Sequence, residues 1–505
     1  MAKNQEQKKI GQFIARLREQ RGLTQNQFAK ALHTSQPAVT RMEKGQQNFS
    51  TEMLAKISKV LNQEIITLAD TSAALQIKGG HKLSGTAVVN ASKNAAVALM
   101  CAALLNEGTT TLRHVPKIEE VYRMIEVLVS IGVTVRWSGG DLIIRPAGNL
   151  TLNKINKEAA VQTRSVLLLL APLIHRLKSF SLPLAGGCKL GARTVRPHLY
   201  ALEKLGVEIK TIHDHHNIRV GKLKPAEIVL YEMGDTVTEN ALMAASKIEG
   251  KTVIKFASSN YMVQDLCHFL TKLGVRVEGI GTPTLTVYGK EEIDQNIEYY
   301  LSEDPIEAMM FLSLAATTNS SLTIRRCPIN FLELELLKLS KMGLRFKILK
   351  RYKSRNETTN LVDIKTFHSK LVALEEKIHP LPYPGINIDN LPFFVPIATR
   401  AQGTTLIHDW VYENRAVYYM ELNKLRADIK LADPYRVYVT GPSQLKGAEV
   451  ICPPALRPAV IILIAMLAAE GTSLLRNVYS INRGYENLVV RLRKLGAKIE
   501  ILHGL

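Results

Sequence analysis

Two hydrophobic rhythms divide the chain. Over residues 8–67 apolar positions recur every three or four residues in short stretches: IGQFIARLREQRG stops at Gly22, TQNQFAKAL follows, and after HTS the run QPAVTRMEKG ends at Gly45. This spacing gathers each apolar set on one helical face and predicts short amphipathic helices joined by polar turns. Helix, tight turn and second helix in that order is helix-turn-helix spacing. From about Leu75 onward the period lengthens. LVSIGVTV (Leu128), LEKLGVEI (Leu202), LTKLGVRV (Leu270), LSKMGLRF (Leu339), LNKLRADI (Leu422) and LRKLGAKI (Leu492) recur at roughly 70 to 80 residues. Each phrase predicts a helix end, a glycine C-cap and a strand, with Arg426 standing where glycine stands elsewhere. Further strands are expected at GTTTLRHV, GKTVIKFA, GTTLIHDW and GTSLLRNV. The unit is therefore an α/β module. Six such units exceed one core, so two halves of three units with a cleft between them are expected.

Charge stands before several of the most apolar runs: Lys93 in SKNAAVALMCAALL, Arg164 in TRSVLLLLAPLI, Asp389 in IDNLPFFVPIA and Arg457 in LRPAVIILIAMLAA. A helix N-terminus already offers unpaired N–H groups and positive potential. A cation there opposes the dipole unless an anion sits in front of it. One such cation is an ordinary surface charge, but recurrence across repeats predicts an anion site. The stretch LAGGCKLGARTVRPH adds Cys188 behind two glycines, followed by Lys189, Arg193 and Arg196.

Composition sharpens this. The 65 basic and 45 acidic residues leave a net charge of +20, and the first 70 residues hold eleven of the basic and six of the acidic ones. Both regions are basic, which suggests two anionic ligands. The five cysteines are odd in number, far apart and without a CxxC pair, arguing against a disulfide framework or a zinc site. No metal and no cofactor are expected, and the setting expected is the cytoplasm. MAKNQEQKKI lacks the apolar core of a signal peptide, and the longest apolar run, AVIILIAMLAA, is too short to span a bilayer, so no membrane partner is expected.

The stretch GLTQNQFAKALHTSQPAVTRMEKG resembles the phage-repressor type of DNA-binding domain. That resemblance implies that double-stranded DNA binds through residues 8–67. The second helix of the motif would enter the major groove, with Gln36 reaching adenine edges, Thr40 and Arg41 contacting bases or phosphates, and Gln25 clamping the backbone. A helical module that has lost DNA binding and serves dimer contacts is the plainer alternative, and a homodimer fits either.

From about Leu75 to the C-terminus the chain resembles the UDP-N-acetylglucosamine enolpyruvyltransferase (1-carboxyvinyltransferase) family. The resemblance is carried by GGHKLSGTAVVNASKNAA, GGCKLGAR, PGINID, YENR and INRGYENLVVRLRKLGAKIE. It implies a two-domain inside-out α/β barrel of six repeats, here preceded by a small all-α helix-turn-helix domain. The expected division is a head over 1–70, a linker over 71–75, one half over 93–303 carrying the Cys188 loop, and a second half formed by 76–92 with 304–505. The resemblance further implies that phosphoenolpyruvate gives its enolpyruvyl group to a sugar-nucleotide hydroxyl and releases phosphate through a tetrahedral intermediate. Lys93, Arg193 and Arg164 would hold the phosphate, while Arg457 and Arg483 would grip the carboxylate, a match for planar guanidinium forks. Asp389 would orient or deprotonate the acceptor hydroxyl, and Asn94 would hold the acceptor sugar beside the loop Arg193, Thr194, Val195 and Arg196. Cys188 would protonate the methylene carbon. A cation about 6 Å from that thiol, at an effective dielectric near 20, contributes about 2.8 kcal/mol, or about two pKa units. Lys189 and Arg193 would thus favour the thiolate, and a bound phosphate dianion would push the thiol back toward its proton-donating form.

The acceptor side departs from the family. Where the family continues Arg-Pro-Val-Asp, with an aspartate that accepts a hydrogen bond from uracil, this chain has Thr194 and Arg196, and an arginine accepts no hydrogen bond. Gly234, Asp235 and Thr236 replace a Ser-Val-Gly segment that lies against the diphosphate, and the carboxylate would repel it. Ala455 and Asn482 replace aspartates next to Arg457 and Arg483, and the stretch 347–367 is unusually basic. Three readings stay open: the family reaction on the 3-hydroxyl of UDP-N-acetylglucosamine, enolpyruvyl transfer to another nucleotide or sugar, and a ligand-sensing transcriptional regulator. Shikimate-type transfer shares the fold, but the Cys188 loop and SKNAA resemble the sugar-nucleotide branch.

Overall fold

The computed structural model describes residues 11–19, 21–47, 51–61, 73–184, 194–212 and 215–502. The head contains helices over 11–19, Gln25–Ala31, Gln36–Glu43 and Thr51–Leu61. Thr24 and Gln27 close a reciprocal capping box at the second helix, and Ser35 caps the third, ahead of Pro37 in its first turn. Gly22 and Gly45 end their helices at φ +67° and +66°, a conformation glycine adopts without steric cost. Ile14, Leu17, Phe28, Leu32, Val39, Met42, Ile57 and Leu61 form a core separate from that of the body.

In the body each of the six recurring phrases turns on a left-handed residue: Gly132, Gly206, Gly274, Gly343, Arg426 and Gly496. Arg426 adopts φ 65° at a cost of about 1 kcal/mol relative to glycine. Six sheets result. Three draw their strands from residues 110–300: Ile297–Tyr300 with Thr110–Arg113, Asp141–Arg145 and Thr134–Ser138; Ser179–Pro183 with His215–Val220 and Val207–Ile212; and Arg276–Glu278 with Thr284–Gly289, Gly250–Lys255 and Glu227–Val229. The other three draw theirs from 321–502 together with Ala74–Gly79 and Ser84–Val88. Ala74 and Leu75 already pair with Leu502 and Leu475 and Ile501, so the expected linker over 71–75 gives way to a strand two residues early.

Helices fill the interior and sheets face outward. Pro305–Thr317 is buried at every position, and Leu456–Ala468 at all but its first and last residues. Helices apolar all round need covering on all sides. The strands that cover them alternate, as in Arg436–Gly441, where Val437 and Val439 point inward. Charged groups at the start of this helix are paired: Asp304 caps Pro305–Thr317 by accepting from the amides of Ile306 and Glu307, and Glu307 pairs with Arg491. Among the described residues no helix is long and apolar enough to cross a membrane.

Candidate active site

Ser92 caps the helix Lys93–Ala102 and sets Lys93 at its first position. Arg457 is the second residue of Leu456–Ala468. The other charges stand at different features than the apolar runs suggest. Arg164 opens a 3-10 segment, Arg164–Leu169, that runs into the four-residue helix Leu170–Leu173, and Asp389 precedes the 3-10 turn Leu391–Phe393. Prolines at 172 and 392 keep these entries short and tight. Arg483 follows the end of Tyr479–Asn482, where its charge complements a helix C-terminus.

Two of these cations, Arg457 and Lys93, together with a further arginine, Arg415, surround the Asp389 carboxylate. Asp389 Oδ2 lies 3.2 Å from Arg457 Nη2, and Oδ1 lies 3.8 Å from Arg415 Nη1. Burial pushes the Asp389 carboxyl up, but Arg457, Arg415 and Lys93 together outweigh it and hold the group below the usual carboxylate range. Arg457 also donates to Tyr485 Oη at 2.8 Å. Arg415, 1% exposed, forms a bidentate pair with Asp409 at 2.6 and 2.8 Å and donates to the Ile388 carbonyl, while Tyr419 Oη donates to Asp409 at 2.5 Å. That network fixes the arginine plane next to Asp389.

A second carboxylate, Glu120, links the remaining cations. Its Oε1 accepts from Thr163 Oγ1 at 2.5 Å and its Oε2 from Arg483 Nη2 at 3.1 Å. Burial raises the Glu120 carboxyl, yet Lys93, the Thr163 hydroxyl and Arg483 more than offset this and keep it low. Arg164, adjacent to Thr163, donates to the Thr194 carbonyl at 3.0 Å. Lys93, Asp389, Arg457 and Arg483 are thereby gathered at the seam between the two sets of sheets, with Arg164 at its edge.

Of the residues expected to meet the acceptor, Asn94 donates through Nδ2 to Tyr261 Oη at 3.2 Å, as does Ser92 Oγ. Asn387 Nδ2 reaches Asn260 Oδ1 at 3.2 Å from the other side of the seam. Thr194 Oγ1 accepts from the Arg196 amide, Val195 is half-buried, and Arg196 is exposed as the first residue of Arg196–Glu203. Asp235 accepts from Ser258 Oγ at 2.6 Å and Asn260 Nδ2 at 3.1 Å in the first turn of Asp235–Ala245. Cys188, Lys189 and Arg193 lie outside the described residues. The other four cysteines are buried thiols whose burial raises their pKa, that of Cys452 to about 12, as expected of structural cysteines. Among the described residues no His, Cys, Asp and Glu cluster could hold a metal ion.

In the head Gln25, Gln36 and Thr40 meet. Gln36 Nε2 donates to Gln25 Oε1 at 2.7 Å and to Thr40 Oγ1 at 3.1 Å, Thr40 donates to Gln25 Oε1 at 3.0 Å, and Gln25 Nε2 is held by Glu43 at 2.7 Å. Arg41 is exposed beside them. Arg18 in turn fixes Glu43, so the amides are presented in one orientation.

Sequence reasoning missed Arg415, Glu120 and Tyr485. Arg415 lies in YENR, a quoted motif, but the segment after it, AVYYMELNKL, is shorter and more polar than the runs that follow Lys93 and Arg457. Glu120 reads as an ordinary first-turn acid on an amphipathic helix, and its partner Arg483 is 363 residues away.

A family model described as EPSP synthase (3-phosphoshikimate 1-carboxyvinyltransferase) matches residues 77–492, and one described as helix-turn-helix matches residues 14–68. The UDP-N-acetylglucosamine 1-carboxyvinyltransferase of Bradyrhizobium diazoefficiens is 34% identical over 426 residues, 84% of this chain and 97% of its own length. That of Treponema denticola is 33% identical over 427 residues, 84% of this chain and 98% of its own. Among solved structures, the enolpyruvyl transferase NikO from Streptomyces tendae aligns with a TM-score of 0.73 at 23% identity, covering 86% of this chain and 100% of its own. EPSP synthase from Acinetobacter baumannii aligns at 0.67 and 18% identity, covering 85% and 100%. The structures establish the shared fold and the sequences the kinship: this chain is a transferase of the EPSP synthase family of enolpyruvyl transferases, joined to an N-terminal helix-turn-helix domain.

Proposed function

We propose that the chain transfers the enolpyruvyl group of phosphoenolpyruvate to the 3-hydroxyl of UDP-N-acetylglucosamine and releases phosphate. The observation that carries this reading is the Asp389 carboxylate, kept ionised between Arg457 and Arg415 and close to Lys93. An ionised carboxylate among fixed cations suits a base that works beside a trianionic donor. In this reading Lys93 and Arg164, with Arg193, hold the phosphate, and Arg457 and Arg483 hold the donor carboxylate. Asp389 takes the acceptor hydroxyl proton as the oxygen bonds to the donor's C2, and Cys188 gives a proton to C3. Phosphate then leaves with its bridging oxygen, and loss of a C3 proton restores the double bond in the product. The relatives' names support this acceptor, as does Asn94, held by Tyr261 near Lys93. In this reading 93–303 and the combined 76–92 and 304–505 are halves that close on the donor, and the head over 1–70 binds double-stranded DNA.

A second acceptor, another nucleotide or sugar, is favoured by one feature. Arg196 is exposed where the family's uracil-reading aspartate stands. The test is phosphate release from phosphoenolpyruvate with UDP-N-acetylglucosamine and then with a panel of nucleotides and sugars, beside Cys188→Ser. Release with the named acceptor, lost in the variant, is expected. Release only with another acceptor selects the second reading, and release with none overturns both.

A further inference from the structure

The head reaches the body through the turn after its first helix. The Arg21 guanidinium lies 3.5 Å from the centroid of the Tyr122 ring and 3.9 Å from the Glu119 carboxylate, with its side chain only 10% exposed. Such a stacked, desolvated cation contributes more than a surface contact. The next residue, Gly22, sits so near the body that a Cβ there would stand 2.6 Å from Trp137 Cβ. Tyr122 and Trp137 are themselves neighbours, their ring centroids 6.0 Å apart.

Glu119 and Tyr122 are three residues apart and share a face of the helix Glu119–Ser130. Between them in sequence lies Glu120, which turns the other way and accepts from Thr163 and Arg483, with the Lys93 charge acting on it. Consecutive residues of one helical turn therefore hold the head on one side and the cation cluster on the other. An anion arriving at that cluster competes with Glu120 for Arg483 and Lys93. A helical turn moves as a unit, so whatever shifts Glu120 is felt at Glu119 and Tyr122.

We infer that occupancy of the anion site and DNA binding by the head are coupled through the first turn of the helix Glu119–Ser130. This rests on the proposed function for the identity of donor and DNA. The coupling makes the enzyme's DNA affinity respond to phosphoenolpyruvate and, by linkage, its phosphoenolpyruvate affinity respond to DNA by the same factor.

The experiment uses the full chain and a duplex enriched by it from a random-sequence library, with affinity measured at one fixed salt concentration because phosphate contacts make it salt-dependent. Saturating phosphoenolpyruvate is expected to change the duplex Kd by about fivefold or more. Calorimetry is expected to show the same factor for phosphoenolpyruvate with the duplex saturating. Arg21→Ala reduces the change below about twofold while leaving phosphate release intact, and Glu119→Gln, on the body side, reduces it in part. Because the chain has two tryptophans, Trp410→Phe leaves Trp137 as a reporter of docking. Its emission is expected to respond to phosphoenolpyruvate, and to stop responding once Arg21→Ala is added. The inference is overturned if no duplex is enriched, if phosphoenolpyruvate binds without altering the duplex Kd, or if Arg21→Ala keeps the full change. Calorimetry that shows no phosphoenolpyruvate binding removes the proposed donor as well, which separates that failure from a loss of coupling alone.

Discussion

The cation cluster proposed to hold the donor and the wall proposed to meet the acceptor are built on different principles. In this cluster each of three arginines is fixed by a partner behind it: Arg415 by Asp409, itself held by Tyr419, Arg457 by Tyr485, and Arg483 by Glu120. These groups are buried or half-buried; Arg483 reaches across the seam to Glu120, while Arg415 and Arg457 are held by partners from within their own half, brought together by its tertiary fold. On the acceptor wall Arg196 is exposed, and Asp235 is tied locally to Ser258 and Asn260 within the same sheet-and-helix unit. A buried ionic network tolerates little substitution, because removing one partner strands the other in a poorly solvated place. An exposed arginine and a locally satisfied aspartate can change without disturbing their surroundings. Of the departures expected from the family resemblance, those at Arg196 and Asp235 fall on the second kind of position, whereas Ala455 and Asn482 adjoin Arg457 and Arg483 of the first.

That contrast can be broken by substitution. Asp389→Ala is expected to have the largest effect, lowering kcat for phosphate release by about a thousandfold, within the range for loss of a general base. A loss under tenfold would place the chemistry elsewhere. Arg196→Asp restores a hydrogen-bond acceptor on the wall and is expected to lower KM for UDP-N-acetylglucosamine by about tenfold with kcat unchanged, the scale of one hydrogen bond to a charged group. A higher KM instead would show that Arg196 serves a different anionic acceptor. Asp235→Asn is expected to lower that KM only about twofold to threefold by removing a carboxylate near the diphosphate, a weak, solvent-screened repulsion. The melting temperature of the same variant should fall slightly, since Asp235 also favours the start of its helix. The smallest effect concerns pH. With Asp389 held below the ordinary carboxylate range, the base stays ionised as pH falls, so the acid limb of kcat/KM it governs lies below that range. A limb near pH 6 would assign the base to another group.

The sequence made the scaffold readable because its signals are local. A glycine after an amphipathic helix specifies a left-handed cap wherever it occurs, and five of the six repeats use it. Arg426 shows the repeat overriding residue preference, with the backbone taking the same turn at φ 65°. Lys93 and Arg457 were readable for the same reason, each beginning a long apolar helix. Glu120, Arg415 and Tyr485 were not. Their roles arise only when distant segments meet, as when Glu120 meets Arg483, and no periodicity marks such a meeting. Head docking belongs to the same class, since nothing in RGL marks Arg21 as the partner of an aromatic ring on the body.

The chain leaves the head and enters the strand Ala74–Gly79, which pairs with Gly471–Arg476 and Lys498–Leu502 in one set of sheets. Arg21 and Gly22 rest on Glu119, Tyr122 and Trp137, which belong to the other set. The polypeptide is thus stitched across its own seam, covalently at one end and by a stacked guanidinium at the other. The two lobes are therefore joined not only at their shared seam but also through the head, whose non-covalent end is the Arg21 guanidinium on Tyr122.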